Sequence, residues 1–222
     1  MDTRIAKKEW SLALRANHWI MVLAIFGLIA TGFYIADPFS TPAGETIDKF
    51  TMGYVRYFHL MFGVILTFVF LWRLYLMFFS RFHADWKDFF AWTDFRSFWA
   101  QIKFYTFLTQ KKPEHKYLYG PLQSLAYGAL LLMLLVLIVT GLILSGVDYS
   151  SGFFGTMYAV LNPVKDLLGG LAVVRIIHHV FTWLVILFVI VHVYMAFWYD
   201  IVFKEGTISS MVGGRVFRKA HE

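Results

Sequence analysis

Apolar positions in this chain fall into four long runs separated by more polar stretches. The runs extend roughly over 17–36, 57–79, 122–146 and 176–199. Each reaches the ~20 residues a helix needs to cross a hydrocarbon core of ~30 Å. The pattern predicts an all-α chain: one four-helix transmembrane bundle occupying 1–222 as a single domain, with no soluble domain and no internal repeat. Arg73 interrupts the second run, near enough to its end to snorkel toward the interface. The first run has no small-residue cleavage site and reads as a retained span rather than a signal peptide.

The connections differ in character. Asp37–Gly53 and Val147–Arg175 carry turn residues, including DPFSTPAG in the first and GFFG, Pro163 and Gly169–Gly170 in the second. Ser80–Pro121 is longer and aromatic. Its stretch SFWAQIKFYTFLTQKK mixes Phe, Trp and Tyr with Lys, which predicts an amphipathic helix lying at the membrane interface, against an ordinary solvated loop. The tail TISSMVGGRVFRKAHE is polar and basic and reads as surface-bound.

Composition agrees with a membrane location: hydrophobic residues make up 59% and charged residues 15%, against ~25% charged in soluble chains. The cations are unevenly placed. Arg4, Lys7, Lys8 and Arg15 precede the first run; Arg81, Lys87, Arg96, Lys103, Lys111, Lys112 and Lys116 lie between the second and third; Lys204, Arg215, Arg218 and Lys219 follow the fourth. The opposite side has Lys49, Arg56, Lys165 and Arg175. Loops rich in Lys and Arg stay inside, so both termini are expected in the cytoplasm. This asymmetry accounts for the basic pI of 9.4 without a nucleic-acid partner. There is no cysteine, which excludes thioether-attached haem, a cysteine-held iron–sulfur cluster, a disulfide and a thiol nucleophile in this chain.

The candidate chemistry lies in histidines. His178 and His192 bound the stretch HHVFTWLVILFVIVH, which has no Asp, Glu, Lys or Arg. An ionisable residue inside a span marks a functional site by default. Fourteen residues separate the two by ~21 Å along a helix and by ~40° around it. His18 and His59 add one imidazole from each of the first two runs. With the N-terminus inside, depth pairs His59 with His178 near the outer surface and His18 with His192 near the inner one. Two helices then supply one imidazole each at two depths, which suits two six-coordinate b-type haems. His179 competes with His178 for the outer position. His83, His115 and His221 lie in polar segments and read as solvated. Gly32 and Gly63 would leave room for an outer macrocycle, although membrane-helix glycines commonly serve packing. Arg56, Arg73 and Arg175 are candidates for haem propionates.

Several motifs together extend this reading: His18–Trp19, TGFYIADP (Thr31–Pro38), MGYVRYFH (Met52–His59), WRLY (Trp72–Tyr75), HVYMA (His192–Ala196) followed by Asp200–Ile201, and TISSMVGG (Thr207–Gly214). Over nearly its whole length the chain resembles the cytochrome b subunit of membrane-bound nickel–iron uptake hydrogenases, related to the gamma subunit of respiratory formate dehydrogenase. The resemblance implies two b haems on the four histidines and a quinone, menaquinone or ubiquinone, reduced near the inner haem. It also implies a periplasmic partner with a large nickel–iron subunit and a small iron–sulfur subunit bearing a C-terminal membrane helix. The setting would be the bacterial inner membrane, with an oligomer of heterotrimers as one assembly. Relatives often carry Asn-Pro at the start of the third span, whereas this chain reads Tyr119-Gly120-Pro121. Lys116, Tyr117 and Gln123 are the polar quinone candidates there. The subunit would move electrons and reduce quinone, leaving hydrogen chemistry to its partner.

Other readings stay open. The same conduit could serve a formate dehydrogenase or another periplasmic reductase. A small transporter could use the histidines as a relay, but broken helices and a repeat are not evident. A haem-free anchor is the third.

Overall fold

The computed structural model describes residues 4–39, 50–79, 85–106, 108–109 and 118–219. In chain order the elements are β1 (Arg4–Lys8), α1 (Leu12–Ala36), α2 (Thr51–Phe79), a short α3 (Trp86–Phe89), a 3-10 turn (Ala91–Thr93) and α4 (Phe95–Tyr105). They continue with α5 (Pro121–Gly146), α6 (Gly152–Leu167), α7 (Leu171–Phe203), α8 (Thr207–Gly213) and β2 (Arg215–Lys219). Helices α1, α2, α5 and α7 are the four long and apolar enough to cross a membrane. They match the four apolar runs but extend beyond them. α7 has 33 residues, ~50 Å of helix, more than the hydrocarbon core requires. His83, His115, His221, Lys111, Lys112 and Lys49 lie outside the described residues.

The chain divides into two compact units, each assembled from parts of all four long helices. The first comprises Met1–Ala16, Trp72–Met133 and Ile186–Glu222; the second comprises Asn17–Leu71 and Leu134–Val185.

In the first unit, β1 and β2 form an antiparallel ribbon running from Arg4 opposite Lys219 to Lys8 opposite Arg215. The Gly214 carbonyl accepts from the backbone N–H groups of Glu9 and Trp10, at 2.9 and 3.2 Å. The Trp10 indole donates to the Ser210 hydroxyl at 3.1 Å. Arg218 pairs with Glu9 at 2.9 Å. The two terminal segments are thereby tied together. The basic tail, expected only to lie on a surface, is one strand of this ribbon.

The segment between α2 and α5 is stitched to the start of α5. Leu14, Leu76, Phe89 and Tyr119 form its buried core. The Asp88 carboxylate accepts from the Leu118 N–H at 3.0 Å, and the Ser124 hydroxyl accepts from the Trp92 N–H at 3.0 Å. Pro121 opens α5, where no N–H is needed. The next donor, Leu122 N–H, goes to the Gln101 side-chain oxygen at 2.8 Å, satisfying a group the helix itself leaves over. Asp94 caps α4 through the Ser97 N–H and hydroxyl; these bonds hold its carboxyl below its ordinary value. The stretch does form a helix, but it stops at Tyr105 and buries Gln101, whose side chain caps α5.

In the second unit, Asn17 is 1% exposed and donates to the Val69 carbonyl at 2.9 Å, joining α1 to α2. Gly27 forms a notch for the Phe62 ring: a Cβ there would lie 2.5–2.8 Å from it. The stretch from Val147 is not merely a loop, because α6 occupies Gly152–Leu167 with Pro163 inside it. Tyr158 packs against Gly146 at the end of α5. α6 stops in a paired-glycine cap. Gly169 N–H bonds to Asp166 C=O and Gly170 N–H to Lys165 C=O, and both glycines have positive φ, 97° and 92°, where a side chain would strain the backbone.

Gly27→Ala is predicted to cost about 1–3 kcal/mol by overpacking. Phe62→Leu in the same chain should recover part of that cost, read as a positive coupling in a double-mutant cycle of thermal unfolding in mild detergent.

Candidate functional site

Two histidines of the second unit are held in the same way. His59 on α2 faces α1, and its Nδ1 lies 2.8 Å from the Thr31 hydroxyl oxygen. His178 on α7 faces α5, and its Nδ1 lies 2.8 Å from the Thr140 hydroxyl oxygen. Donor accounting assigns the protons. A hydroxyl has a single hydrogen. Thr31 donates to the Gly27 carbonyl one turn back at 2.6 Å, and Thr140 donates to the Val136 carbonyl at 2.7 Å. With that hydrogen on the carbonyl, each hydroxyl accepts from the imidazole, and the arrangement that satisfies all three groups carries the ring proton on Nδ1. The Leu28 carbonyl is a further acceptor beside the His59 ring. In both rings Nε2 keeps its lone pair, the form in which neutral imidazole binds a metal.

Each threonine is followed by a glycine that faces the ring. A Cβ on Gly32 would lie 3.3 Å from His59 Cε1, and one on Gly141 would lie 3.5 Å from His178 Cε1. Gly32 thus makes room for an imidazole edge; the sequence pattern suggested room for a macrocycle. Gly63, one turn along α2 from His59, does face open space: a Cβ there meets nothing within 4 Å. His178 is half-buried, whereas its neighbour His179 is exposed. His178 lies within electrostatic range of His59 in the same unit.

The other two histidines are divided between the units. His18 belongs to the second, where the Trp19 ring meets it edge-on at 5.4 Å. His192 belongs to the first. There it stacks on Phe188 at 5.6 Å with a 9° interplanar angle and meets Tyr127 at 6.0 Å. The Gln123 amide donates to the Tyr127 hydroxyl at 2.9 Å. This places Gln123, a sequence candidate, one residue contact away from His192; Tyr127 was not anticipated.

Arg73, expected to snorkel toward the interface, is enclosed by protein: it is 8% exposed, over the Phe89 ring at 5.0 Å and bonded to the Tyr119 phenol. Burial pushes that phenol well above its ordinary value, and the neighbouring guanidinium pulls the other way. Arg56 and Arg175 are exposed on α2 and α7. Lys116 and Tyr117 lie outside the described residues.

Thr31 and Thr140 were not singled out in the sequence. The available signal was the dipeptide Thr-Gly, at 31–32 and 140–141, each on a helix next to a histidine-bearing one.

Known proteins place the chain. A family model described as "Prokaryotic cytochrome b561" matches residues 9–214. The chain belongs to this family. Similar proteins include the probable Ni/Fe-hydrogenase B-type cytochrome subunit of Azotobacter vinelandii, 35% identical over 92% of this chain and 86% of the relative. The protein so named in Bradyrhizobium diazoefficiens is 32% identical over 92% and 84%. The probable Ni/Fe-hydrogenase 1 B-type cytochrome subunit of Escherichia coli K12 is 30% identical over 96% and 92%. The matched region includes all four long helices and all four histidines.

The two glycines are predicted to differ in tolerance. Gly141→Ala should leave the apparent melting temperature in detergent unchanged, because 3.5 Å is ordinary contact. Gly32→Ala should lower it, because at 3.3 Å the His59 ring has to give way.

Proposed function

We propose that this chain is the b-type cytochrome subunit of a membrane-bound nickel–iron hydrogenase and carries electrons from that enzyme to the quinone pool. The observation that carries the reading is the pair His59–Thr31 and His178–Thr140. Two imidazoles in one unit present unprotonated Nε2 atoms, in a chain of the cytochrome b561 family. The names of the relatives supply the hydrogenase.

The residues suit haem. His59 and His178 would hold one group, and the exposure of His179 favours His178 as its ligand. The open space at Gly63 accommodates a ring system beside His59. His18 and His192 would hold the second; the fourteen-residue step along α7 sets its depth. When bound, each haem supplies a reversible one-electron couple at its iron. The chain fixes ring orientation through threonine and glycine and keeps water out with apolar helices. Exposed Arg56 and Arg175, and buried Arg73, are the cations for propionates.

Hydrogen oxidation by the partner yields two electrons and two protons, and quinone takes up two of each. The basic termini, joined by the β1–β2 ribbon, belong on the cytoplasmic side of the inner membrane by the distribution of Lys and Arg. The Asp37–Gly53 and Val147–Arg175 connections then face the periplasmic partner, with its large nickel–iron and small iron–sulfur subunits. Near the cytoplasmic end Gln123, with Lys116 and Tyr117, supplies polar groups for a quinone headgroup, and the apolar helix walls receive its tail.

The purified protein should carry two low-spin, bis-imidazole b haems. His59→Ala or His178→Ala should remove one haem, and His18→Ala or His192→Ala the other, read by pyridine haemochrome and reduced-minus-oxidised spectra. A single haem in a fully loaded preparation contradicts the pairing.

Gln123→Ala or Tyr117→Phe should slow hydrogen-to-quinone turnover in the intact complex while both haems stay bound and reducible by hydrogen. Unchanged rates in both variants would move the quinone site toward Lys7, Lys8 and the start of α1.

A further inference from the structure

We propose that Thr31 and Thr140 are positioning residues that fix the tautomer, orientation and donor strength of His59 and His178 as ligands of one redox group. The inference rests on the haem reading above and concerns residues that act through those histidines.

Three observations carry it. First, the two sites repeat one arrangement on different helices: a hydroxyl 2.8 Å from Nδ1 in each case. Second, each hydroxyl has its hydrogen committed elsewhere. Thr31 donates to Gly27 C=O, with Leu28 C=O at 3.3 Å; Thr140 donates to Val136 C=O, with Leu137 C=O at 3.2 Å. A hydroxyl that donates becomes a better acceptor through polarisation along the chain of bonds. Third, each ring edge lies against a glycine of the neighbouring helix: a Cβ added at Gly32 or Gly141 would stand 3.3 or 3.5 Å from Cε1. Thr140 is 2% exposed, which leaves little access for water to substitute.

The consequence follows from second-shell chemistry. An imidazole that donates Nδ1–H to a good acceptor gains basicity at Nε2. A more basic ligand favours the ferric over the ferrous ion. Removing the acceptor shifts the couple toward ferrous, raising its midpoint potential. Losing the bond also frees the ring to rotate, which alters the low-spin ferric EPR spectrum.

The test uses the intact protein with both haems. Thr31→Val and Thr140→Val keep the shape and remove the hydroxyl; Thr31→Ser and Thr140→Ser keep it. Each valine variant is expected to shift the ferric-to-ferrous ratio of one haem up to tenfold toward ferrous at fixed potential, equivalent to ~59 mV for one electron. That haem's EPR g values should change, the other haem should be unaffected, and the serine variants should match wild type. Unchanged potential and EPR in both valine variants overturn the proposal, as do serine variants that behave like valine. If the valine variants do not accumulate, wild-type protein labelled with 15N-histidine decides. In the diamagnetic ferrous state, His59 and His178 Nδ1–H signals that exchange more slowly than those of His18 and His192 support it, and equal exchange overturns it. The haem reading fails separately: His59→Ala and His178→Ala would then both retain two haems.

Discussion

A ring that must donate a hydrogen bond, set among apolar side chains, has to be satisfied by the protein itself. Water is excluded from such a site, and an unmade bond there costs ~1–3 kcal/mol. The arrangement around His59 and His178 follows from that constraint. A helical threonine already has a carbonyl one turn back to receive its hydrogen, so its oxygen is left to accept. The glycine after it faces the ring, and at Gly32 a side chain would crowd His59. The same demand is met at other buried polar side chains among the described residues. Asn17 goes to Val69 C=O, and Gln101 and Ser124 take backbone N–H groups at the start of α5.

The two units divide the work. The first gathers the termini, the segment between α2 and α5, and the far end of α7 into a polar, hydrogen-bonded assembly. Its ribbon, formed by residues more than two hundred positions apart, ties the first strand to the last. The second unit carries the matched histidines between apolar helix faces. Under the proposed function, the second unit would give the redox ligands a fixed geometry among apolar helices, and the first would supply polar groups for a quinone.

The four spans were legible because crossing a membrane demands a run of ~20 apolar residues, a property of the linear chain. The histidines were legible because imidazoles are rare in such runs and helical spacing converts position into depth. Other features were not. α6 is short, proline-containing and polar at its end, so it resembled a connection. Gly32 was associated with space near a cofactor, but its missing side chain accommodates His59. That Phe89 and Tyr119, contributed by later segments, enclose Arg73 was also not visible. The pairing of β1 with β2 has no local signature at all, since each strand is five residues of basic and apolar side chains.

The sequence by itself determined the class of molecule: how many helices are long and apolar enough to cross a membrane, where histidines fall within them, and how Lys and Arg are distributed among the connecting segments. These depend on composition and periodicity along one helix. Only the tertiary structure decided which hydroxyl each imidazole meets, which ring nitrogen keeps its proton, and which of the neighbours His178 and His179 turns inward. Those are outcomes of contact between helices distant in sequence. A hydrogen bond of 2.8 Å depends on two backbones approaching at one register, and no single helix records that register.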